Sequence, residues 1–369
     1  MRLVRAAAVA VGVLLAVMPA MPVAAKGSAA LGAVIHSGPL PQELRLAGAG
    51  KAWKVWYVST SWRGGQTVVT GTLTLPAGRA PAGGWPVVSF GHGFGGVADA
   101  CAQSRTGPSP WERSLQERFI AAGYAVAVAD FEGIGTPAPS PGVAGNAEAY
   151  NMTDIVRAAR RIAPVARRWV AVGYSLGGHA ALFTSALTAA YAPRLDHAGT
   201  IALAPVTQWA ALIAFGRDPA APAQPTTFYS AYTLELTSGG AYRAADWFTP
   251  AGLAFVRQAG TLCIDELAER AAGLTNADVF TDPAAAADEL TRRLAPQEIP
   301  IAAYPEPVRV AHGTADTLPA VLSEITAGQL AAAGTEVSYT PVPGADHFTL
   351  LPTVAPDVVH WAEALLSDR

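Results

Sequence analysis

A serine stands at the centre of a G-x-S-x-G pattern in this 369-residue sequence. Residues 173–177 read Gly-Tyr-Ser-Leu-Gly, directly after an apolar run and directly before a helix-forming stretch. In a strand-turn-helix unit, this pattern makes a sharp turn that holds the serine hydroxyl out of the sheet, and the glycines relieve crowding. We therefore predict that Ser175 is a nucleophile. The alternative is a glycine-rich turn with a capping serine.

A serine hydroxyl needs a histidine to remove its proton and a carboxylate to orient that histidine. Asp316 follows an apolar run at 307–310, and His347 follows the last predicted strand. Both loops are predicted at the carboxyl edge of a parallel sheet, as is Ser175, and the chain order is serine, acid, histidine. We therefore predict that these three residues form a triad. Asp346 is the competing acid, although adjacent side chains point apart.

The other histidines are weaker candidates for the base. His179 lies one turn into the helix after Ser175, where packing in the core is expected, and His312 precedes the predicted acid. Three more lie in the N-terminal lead, in a connecting segment and in a helical pattern: His36, His197 and His360.

Two backbone N–H groups are candidates for an oxyanion hole, which needs donors aimed where the tetrahedral charge develops. One is Leu176, directly after the nucleophile. The other belongs to the loop 91–96, Gly-His-Gly-Phe-Gly-Gly, where we favour Phe94 and keep Gly93 as the alternative. A phosphate-cradling loop is the other interpretation, but this loop lacks the Lys-Ser/Thr ending of a P-loop.

Strand and helix patterns alternate along most of the chain. Two runs with period-two alternation, separated by Arg-Gly-Gly-Gln, predict an antiparallel pair at 53–59 and 67–75. Short, nearly unbroken apolar runs then indicate parallel strands buried on both faces, at 86–90, 125–129, 169–173, 200–203 and 307–310. A last strand is predicted at 336–342, and helices at 111–122, 147–162, 176–190, 319–333 and 355–366. This alternation predicts an α/β fold with helices on both faces of a mostly parallel sheet.

Residues 206–303 interrupt the alternation, because they contain no clear strand pattern although apolar residues persist throughout. An insertion of this length between two core strands is a lid or a packed cap. We predict a helical cap at 206–303, inserted in a core formed by 26–205 and 304–369. Six of its rings could line an acyl-binding site or form the cap's own core: Trp209, Phe215, Phe228, Trp247, Phe248 and Phe255.

The first residues have the pattern of a signal peptide. Arg2 and Arg5 precede the apolar run 6–17, and small residues at Val23 and Ala25 predict cleavage after Ala25. The run is short for a bilayer span, and a retained anchor is the alternative. We therefore predict a signal peptide at 1–25 and a secreted protein.

Two cysteines, Cys101 and Cys263, are too few for a zinc site and are the right number for one bridge in an oxidising compartment. We predict that they form a disulfide, which would tie the loop after strand 86–90 to the cap.

Composition excludes several classes of protein. Charged residues make up 14% and hydrophobic residues 51% of the chain, which excludes intrinsic disorder. The net charge of −3, without a block of like charges, gives no electrostatic footprint for nucleic acid. We expect an ester substrate and no nucleic-acid partner.

Taken together, these motifs resemble the α/β-hydrolase fold and, within it, the secretory lipase family of the fungal lipase A type with its actinobacterial members. The resemblance rests on Val-Thr-Gly-Thr-Leu at 69–73, Gly-His-Gly at 91–93 with a following cysteine, the segments 130–135 and 173–180, and the two loops of the predicted acid and base. It implies secretion, a helical cap over the active site, no cofactor, and hydrolysis of acylglycerols or other carboxylic esters. The serine mechanism requires no metal, and we expect transient contact of the cap with a lipid interface. Leu176 departs from the family, in which this position is often Gln.

The sequence therefore predicts a secreted serine hydrolase that cleaves carboxylic esters. An esterase for acetyl or feruloyl groups on plant polysaccharide, or for polyesters, is the closest alternative. A peptidase is a further one, because amides and esters share the tetrahedral intermediate and a fold does not set its substrate. An inactive binding protein would account for the fold but not for the ordered triad.

Overall fold

The computed structural model describes residues 29–367, so the predicted signal peptide at 1–25 lies outside the described residues. A nine-stranded sheet forms the centre of the molecule, in the order β1-β2-β3-β5-β4-β6-β7-β8-β9. Its strands are β1 Val34–Pro39, β2 Ala49–Thr60, β3 Gln66–Pro76, β4 Trp85–Gly91, β5 Ala125–Ala129, β6 Val165–Tyr174, β7 Asp196–Leu203, β8 Val308–Gly313 and β9 Val337–Val342.

The sheet is antiparallel at one end and parallel over the rest. The pairs β1–β2, β2–β3 and β3–β5 are antiparallel, whereas every pair from β5–β4 to β8–β9 is parallel. Gly91 at the end of β4 pairs with Gly173 near the end of β6. Because parallel strands end at one edge, the loops after β4, β6, β8 and β9 open on the same side.

The α-helices are α1 Gln103–Thr106, α2 Pro110–Ala121, α3 Gly145–Ile162, α4 Leu176–Tyr191, α5 Trp209–Ala214, α6 Pro225–Thr237, α7 Pro250–Ala259, α8 Ile264–Ala271, α9 Asn276–Val279, α10 Pro283–Leu294, α11 Ala320–Ala332 and α12 Leu350–Ser367. Short 3₁₀ turns span Gln42–Leu44, Asp99–Cys101, Phe215–Arg217, Ala244–Asp246 and Ala295–Gln297. None of the helices between residues 29 and 367 combines the length and the hydropathy that spanning a bilayer requires.

Helices cover both faces of the sheet, as the alternation predicts. Consecutive side chains of β4 point to opposite faces, and both Val87 and Val88 are fully buried. Val88 belongs to a core with α2 and α12, while Val87 belongs to a second core with α3 and α4. Full burial of such an aliphatic side chain contributes roughly 1.5–3 kcal/mol, so both faces stabilise the strand.

The helices α5 to α10 form an inserted cap between β7 and β8. Side chains from different helices pack in a core of their own, including Phe228 of α6, Val256 of α7 and Leu267 of α8. Of the six candidate rings, Phe228 and Phe248 are at most 2% exposed and lie in this core, whereas Phe215 is 61% exposed. The predicted α/β architecture, with helices on both faces of a mostly parallel sheet and an inserted helical cap, is therefore confirmed.

Candidate active site

Ser175 occupies the turn between β6 and α4. Its backbone has φ 56° and ψ −119°, a conformation that L-residues rarely adopt. A Cβ on Gly173 would lie 1.9 Å from the carbonyl oxygen of Gly177, and one on Gly177 would lie 1.9 Å from that of Gly91. Only glycine fits at these two positions. The turn therefore holds Ser175 at the carboxyl edge of the sheet.

The three predicted triad residues meet at this edge. Nε2 of His347 lies 3.0 Å from Oγ of Ser175, and its Nδ1 lies 2.7 Å from Oδ2 of Asp316. Asp316 follows β8 and His347 follows β9, so neighbouring parallel strands deliver them to the same place. One imidazole thus contacts a hydroxyl and a carboxylate together, which is the geometry of a base oriented by an acid.

The carboxylate of Asp316 is fully buried and hydrogen-bonded. Its Oδ1 accepts the backbone N–H of Leu318 at 2.8 Å, and its Oδ2 lies 3.2 Å from Nε2 of His312. Burial alone would raise the pKa of Asp316, but hydrogen bonds from His312 and His347 outweigh burial and hold that pKa well below its usual range. The carboxylate is therefore ionised wherever the protein is folded near neutral pH.

Asp346, the competing acid, has a different role in the loop. Its Oδ1 accepts the N–H of Phe348 at 3.0 Å, and the N–H and hydroxyl of Thr349 at 2.7 and 2.6 Å. These hydrogen bonds from Thr349 and Phe348 lower the pKa of Asp346 and hold its carboxylate in the turn before α12. Asp316, not Asp346, contacts the imidazole of His347.

The loop after β4 carries the second predicted oxyanion donor. The N–H of Gly93 donates to Oε1 of Glu112 at 2.8 Å. Within residues 29–367, the N–H groups of Phe94 and Leu176 have no acceptor. Of the two candidates in this loop, Phe94 is therefore the one with an available donor.

The same loop is attached to the cap. A disulfide joins Cys101 to Cys263, which directly precedes α8. The N–H of Ile264 donates to the carbonyl oxygen of Gly95 at 3.0 Å, and the ring of Phe94 packs against a cap tyrosine. The predicted pairing of the cysteines is present, and it links this loop to the cap.

Within residues 29–367, His347 alone among the histidines is hydrogen-bonded to the Ser175 hydroxyl. His179 is fully buried as expected, with Nδ1 3.2 Å from Glu148 Oε2 and Nε2 2.8 Å from the carbonyl oxygen of Gln297. His197, expected in a connecting segment, lies inside β7, because that strand begins at Asp196 rather than at 200. His312 contacts Asp316 instead of Ser175.

Three contacts of the site were not predicted from the sequence. The hydroxyl of Tyr174 donates to the carbonyl oxygen of His347 at 2.9 Å, and burial raises the pKa of Tyr174, which keeps that hydroxyl protonated. The second contact is that of His312 with the carboxylate of Asp316, and the third is the hydrogen bond from the N–H of Gly93 to Glu112. Only Glu112 had a signal in the sequence, since Ser-x-x-Glu at 109–112 is a capping box, but that pattern predicts a helix start and not a contact with the loop.

Within the described part of the chain, no group of three or more His, Cys, Asp or Glu side chains is arranged to hold a metal ion.

A model of the alpha/beta hydrolase family matches residues 90–360, a segment that contains Ser175, Asp316 and His347. The chain belongs to the alpha/beta hydrolase family. Comparison with curated protein sequences finds no match for this alpha/beta hydrolase.

Solved structures show the same fold. This alpha/beta hydrolase is similar to lipase A of Candida antarctica, with a TM-score of 0.70 and 19% identity over 86% of this chain and 78% of that chain. It is also similar to LipA, the rice cell wall degrading esterase of Xanthomonas oryzae, with a TM-score of 0.74 and 18% identity over 92% of this chain and 99% of that chain. The expected likeness to the lipase A type is therefore confirmed at the level of the fold.

Proposed function

We propose that this alpha/beta hydrolase cleaves carboxylic esters through an acyl-enzyme. The proposal rests on a single observation: the imidazole of His347 bridges Ser175 at 3.0 Å and Asp316 at 2.7 Å. Its structural neighbours include a lipase and an esterase, which supports esters as the substrate class.

In the first half of the reaction, Nε2 of His347 removes the proton of Ser175 as Oγ attacks the ester carbonyl. The N–H groups of Leu176 and Phe94 donate to the oxyanion of the tetrahedral intermediate. Asp316 stabilises the imidazolium that forms. The carbon–oxygen bond to the alcohol then breaks, and His347 returns the proton to the leaving alcohol.

In the second half, His347 takes a proton from a water molecule that attacks the acyl group on Ser175. The oxyanion again lies against the two backbone donors. Collapse of this intermediate releases the carboxylic acid, and the imidazolium returns its proton to Oγ. In each half of the reaction, His347 accepts one proton and releases one, so the triad returns to its starting protonation state.

We propose acylglycerols or other carboxylic esters as substrates. A second candidate class is the esters that decorate plant polysaccharide. It is favoured by the similarity to the rice cell wall degrading esterase, which extends over 99% of that chain.

Replacement of the nucleophile tests the proposal. Ser175→Ala should lower turnover of p-nitrophenyl esters by a factor on the order of 10⁶ and abolish labelling by a fluorophosphonate. Ser230→Ala in cap helix α6 is the matched control and should keep both. A folded Ser175→Ala protein with a tenth of the activity contradicts this mechanism, and a wild type that does not react with the fluorophosphonate indicates a binding protein.

A substrate series separates the candidates. Rates on p-nitrophenyl esters from acetyl to long acyl chains, then on emulsified triglyceride, acetylated or feruloylated xylan and a peptide amide, rank the substrate classes. A preference for long chains and triglyceride supports a lipase. Activity confined to acetyl or feruloyl xylan supports the second candidate, and cleavage of the amide alone contradicts an ester hydrolase.

We also propose that the protein is secreted and that its cap transiently contacts lipid. The predicted signal peptide and the disulfide support secretion, and Phe215, 61% exposed on the cap, supports the lipid contact. The secreted protein should begin at residue 26. Phe215→Ser should slow hydrolysis of an emulsion but not of a soluble ester, and equal slowing of both contradicts the lipid contact.

A further inference from the structure

Glu112 places a buried carboxylate beside the loop that follows β4. It lies in the first turn of α2 and is 3% exposed. Its Oε1 accepts the N–H of Gly93 at 2.8 Å, and its Oε2 accepts hydrogen bonds from Nε2 of Gln103 at 2.8 Å and Oγ of Ser109 at 2.6 Å. A buried carboxylate is costly unless it is hydrogen-bonded, and these donors compensate its burial.

The two oxygens of this carboxylate have different tasks. Oε2 belongs to the capping box of α2, in which Ser109 and Glu112 satisfy the helix N-terminus. Oε1 instead reaches Gly93, which lies 19 residues earlier in the chain and outside the helix. Helix capping alone therefore does not account for the contact with the loop.

The contact with Glu112 removes the N–H of Gly93 from the candidate oxyanion donors. The N–H of Gly93 is directed to α2, and the next one along the chain, that of Phe94, has no acceptor within residues 29–367. On the side of the cap, the hydrogen bond between Ile264 and Gly95 fixes the loop. The loop is thus held from the core by Glu112 and from the cap by α8.

We propose that Glu112 is a positioning residue, which holds Gly93 so that the N–H of Phe94 is aimed at the oxyanion of the reacting ester. The inference rests on the proposed ester hydrolysis, because it makes Phe94 a transition-state donor. Glu112 itself touches no reacting atom. A donor that acts only in the transition state changes kcat rather than KM, so displacement of this loop lowers kcat selectively.

Four variants separate this task from helix capping. Glu112→Ala removes both oxygens, whereas Glu112→Gln keeps one oxygen that can accept the Gly93 N–H. Ser109→Ala weakens the cap of α2 but leaves the Oε1 contact, and Glu117→Gln alters a carboxylate on the same helix that accepts the N–H of Ala47 instead. The readouts are kcat and KM on a p-nitrophenyl ester, the inhibition constant of an alkylboronic acid, which forms a tetrahedral adduct on serine, and the melting temperature.

We expect Glu112→Ala to lower kcat about 100-fold, with KM within about threefold, as for loss of one oxyanion donor. The boronic acid should bind more weakly by a similar factor. Glu112→Gln should rescue kcat to within about fivefold of wild type, since it retains an acceptor. Glu112→Ala and Ser109→Ala should both lower the melting temperature, but Ser109→Ala should keep the wild-type kcat. Glu117→Gln should keep both the wild-type kcat and the wild-type melting temperature.

A kcat for Glu112→Ala equal to that of Ser109→Ala overturns the proposal, as does an unchanged affinity for the boronic acid. If Glu112→Ala does not fold, Glu112→Asp replaces it, because it withdraws the carboxylate from Gly93 by one methylene. Glu112→Asp should lower kcat about tenfold, and a wild-type kcat there overturns the proposal. An active Ser175→Ala protein would overturn the proposed function instead, so the two failures are distinguishable.

Discussion

Nε2 of His312 lies 3.2 Å from Oδ2 of Asp316, the same oxygen that contacts His347. The far nitrogen of His312 lies 2.7 Å from Oγ of Ser323, and Nε2 is also 3.0 Å from the carbonyl oxygen of Leu318. An imidazole that carries a proton on Nε2 and accepts from the Ser323 hydroxyl at Nδ1 satisfies these contacts. His312 therefore gives Asp316 a second donor and restricts the orientation of its carboxylate.

Loss of that donor should reduce catalysis. We expect His312→Phe, which keeps a ring of similar size, to lower kcat about tenfold, equivalent to about 1.4 kcal/mol of transition-state stabilisation. Ser323→Ala is the control, because it leaves the contact between His312 and Asp316 in place. Steady-state kinetics of both proteins, with their melting temperatures, provide the measurement. Full kcat in His312→Phe would show that His347 and the N–H of Leu318 are enough to orient Asp316.

The two aspartates beside His347 should differ sharply. Asp316→Asn should lower kcat by about 10⁴, because an amide stabilises the wrong tautomer of the base. Asp346→Asn should have little effect on kcat, since its carboxylate accepts only from the turn at Phe348 and Thr349. Kinetics on one p-nitrophenyl ester compare the two variants directly. The reverse ranking would make Asp346 the acid.

The disulfide should stabilise the fold and the loop after β4. It joins residues 162 positions apart, for which the chain-entropy model gives an upper value of about 5 kcal/mol. Cys101→Ser with Cys263→Ser should therefore lower the urea midpoint and also lower kcat a few-fold, because Gly95 and Phe94 lose a constraint. Wild type with a reductant should shift in the same way. An unchanged midpoint under reduction, or two free thiols in the unreduced unfolded protein, contradicts this expectation.

His197 should make stability depend on pH. Burial lowers the pKa of His197 to about 4, against the opposing effects of the Gly199 backbone and Asp196, while Arg168 adds to the lowering. The unfolded chain binds this proton near pH 6.5, so the stabilisation is complete above that pH and is lost as pH falls towards 4. The change amounts to about 3 kcal/mol.

Urea unfolding between pH 7 and pH 4 measures this dependence. His197→Gln should flatten the decline in the free energy of unfolding relative to wild type, whatever its effect at pH 7. His36→Gln is the control, because His36 is exposed on β1. Parallel curves for His197→Gln and wild type would assign the decline to other groups.

Most of the sheet was predictable because its strands are buried. The predicted runs 86–90 and 125–129 match β4 and β5 almost residue for residue, since both faces of these strands lie in cores. β1 was missed because it is an edge strand with mostly exposed side chains, so its structure comes from pairing with β2 and not from burial.

The last helix shows how burial overrides a local signal. We predicted this helix at 355–366, which would put Pro356 in its first turn, where proline is tolerated. α12 instead begins at Leu350 and contains Pro356 in its interior. An interior proline destabilises a helix by about 3 kcal/mol. Leu350 and Leu351 are fully buried, and their burial together stabilises the fold by a comparable amount.

The meeting of Ser175, Asp316 and His347 was predictable, because each of them lies in the turn or loop that follows a recognisable strand. The contacts that hold these residues and the loop after β4 in place were not predictable, because they come from elements distant in sequence. Glu112 reaches Gly93 from α2, and Tyr174 reaches the carbonyl oxygen of His347 from 173 positions earlier. Such contacts depend on how the elements pack, and no local pattern specifies them.

The close approach of Gly91, Gly173 and Gly177 bears on how new specificities could be selected in the laboratory. A methyl group at Gly173 or Gly177 would overlap the backbone of a neighbouring segment. Random substitutions at these positions therefore produce variants that do not fold, and they add no active members to a library. The cap, by contrast, holds exposed positions such as Phe215 that carry no such constraint. A library confined to residues 206–303 should therefore keep a much larger share of folded, catalytically competent members than one spread along the whole chain.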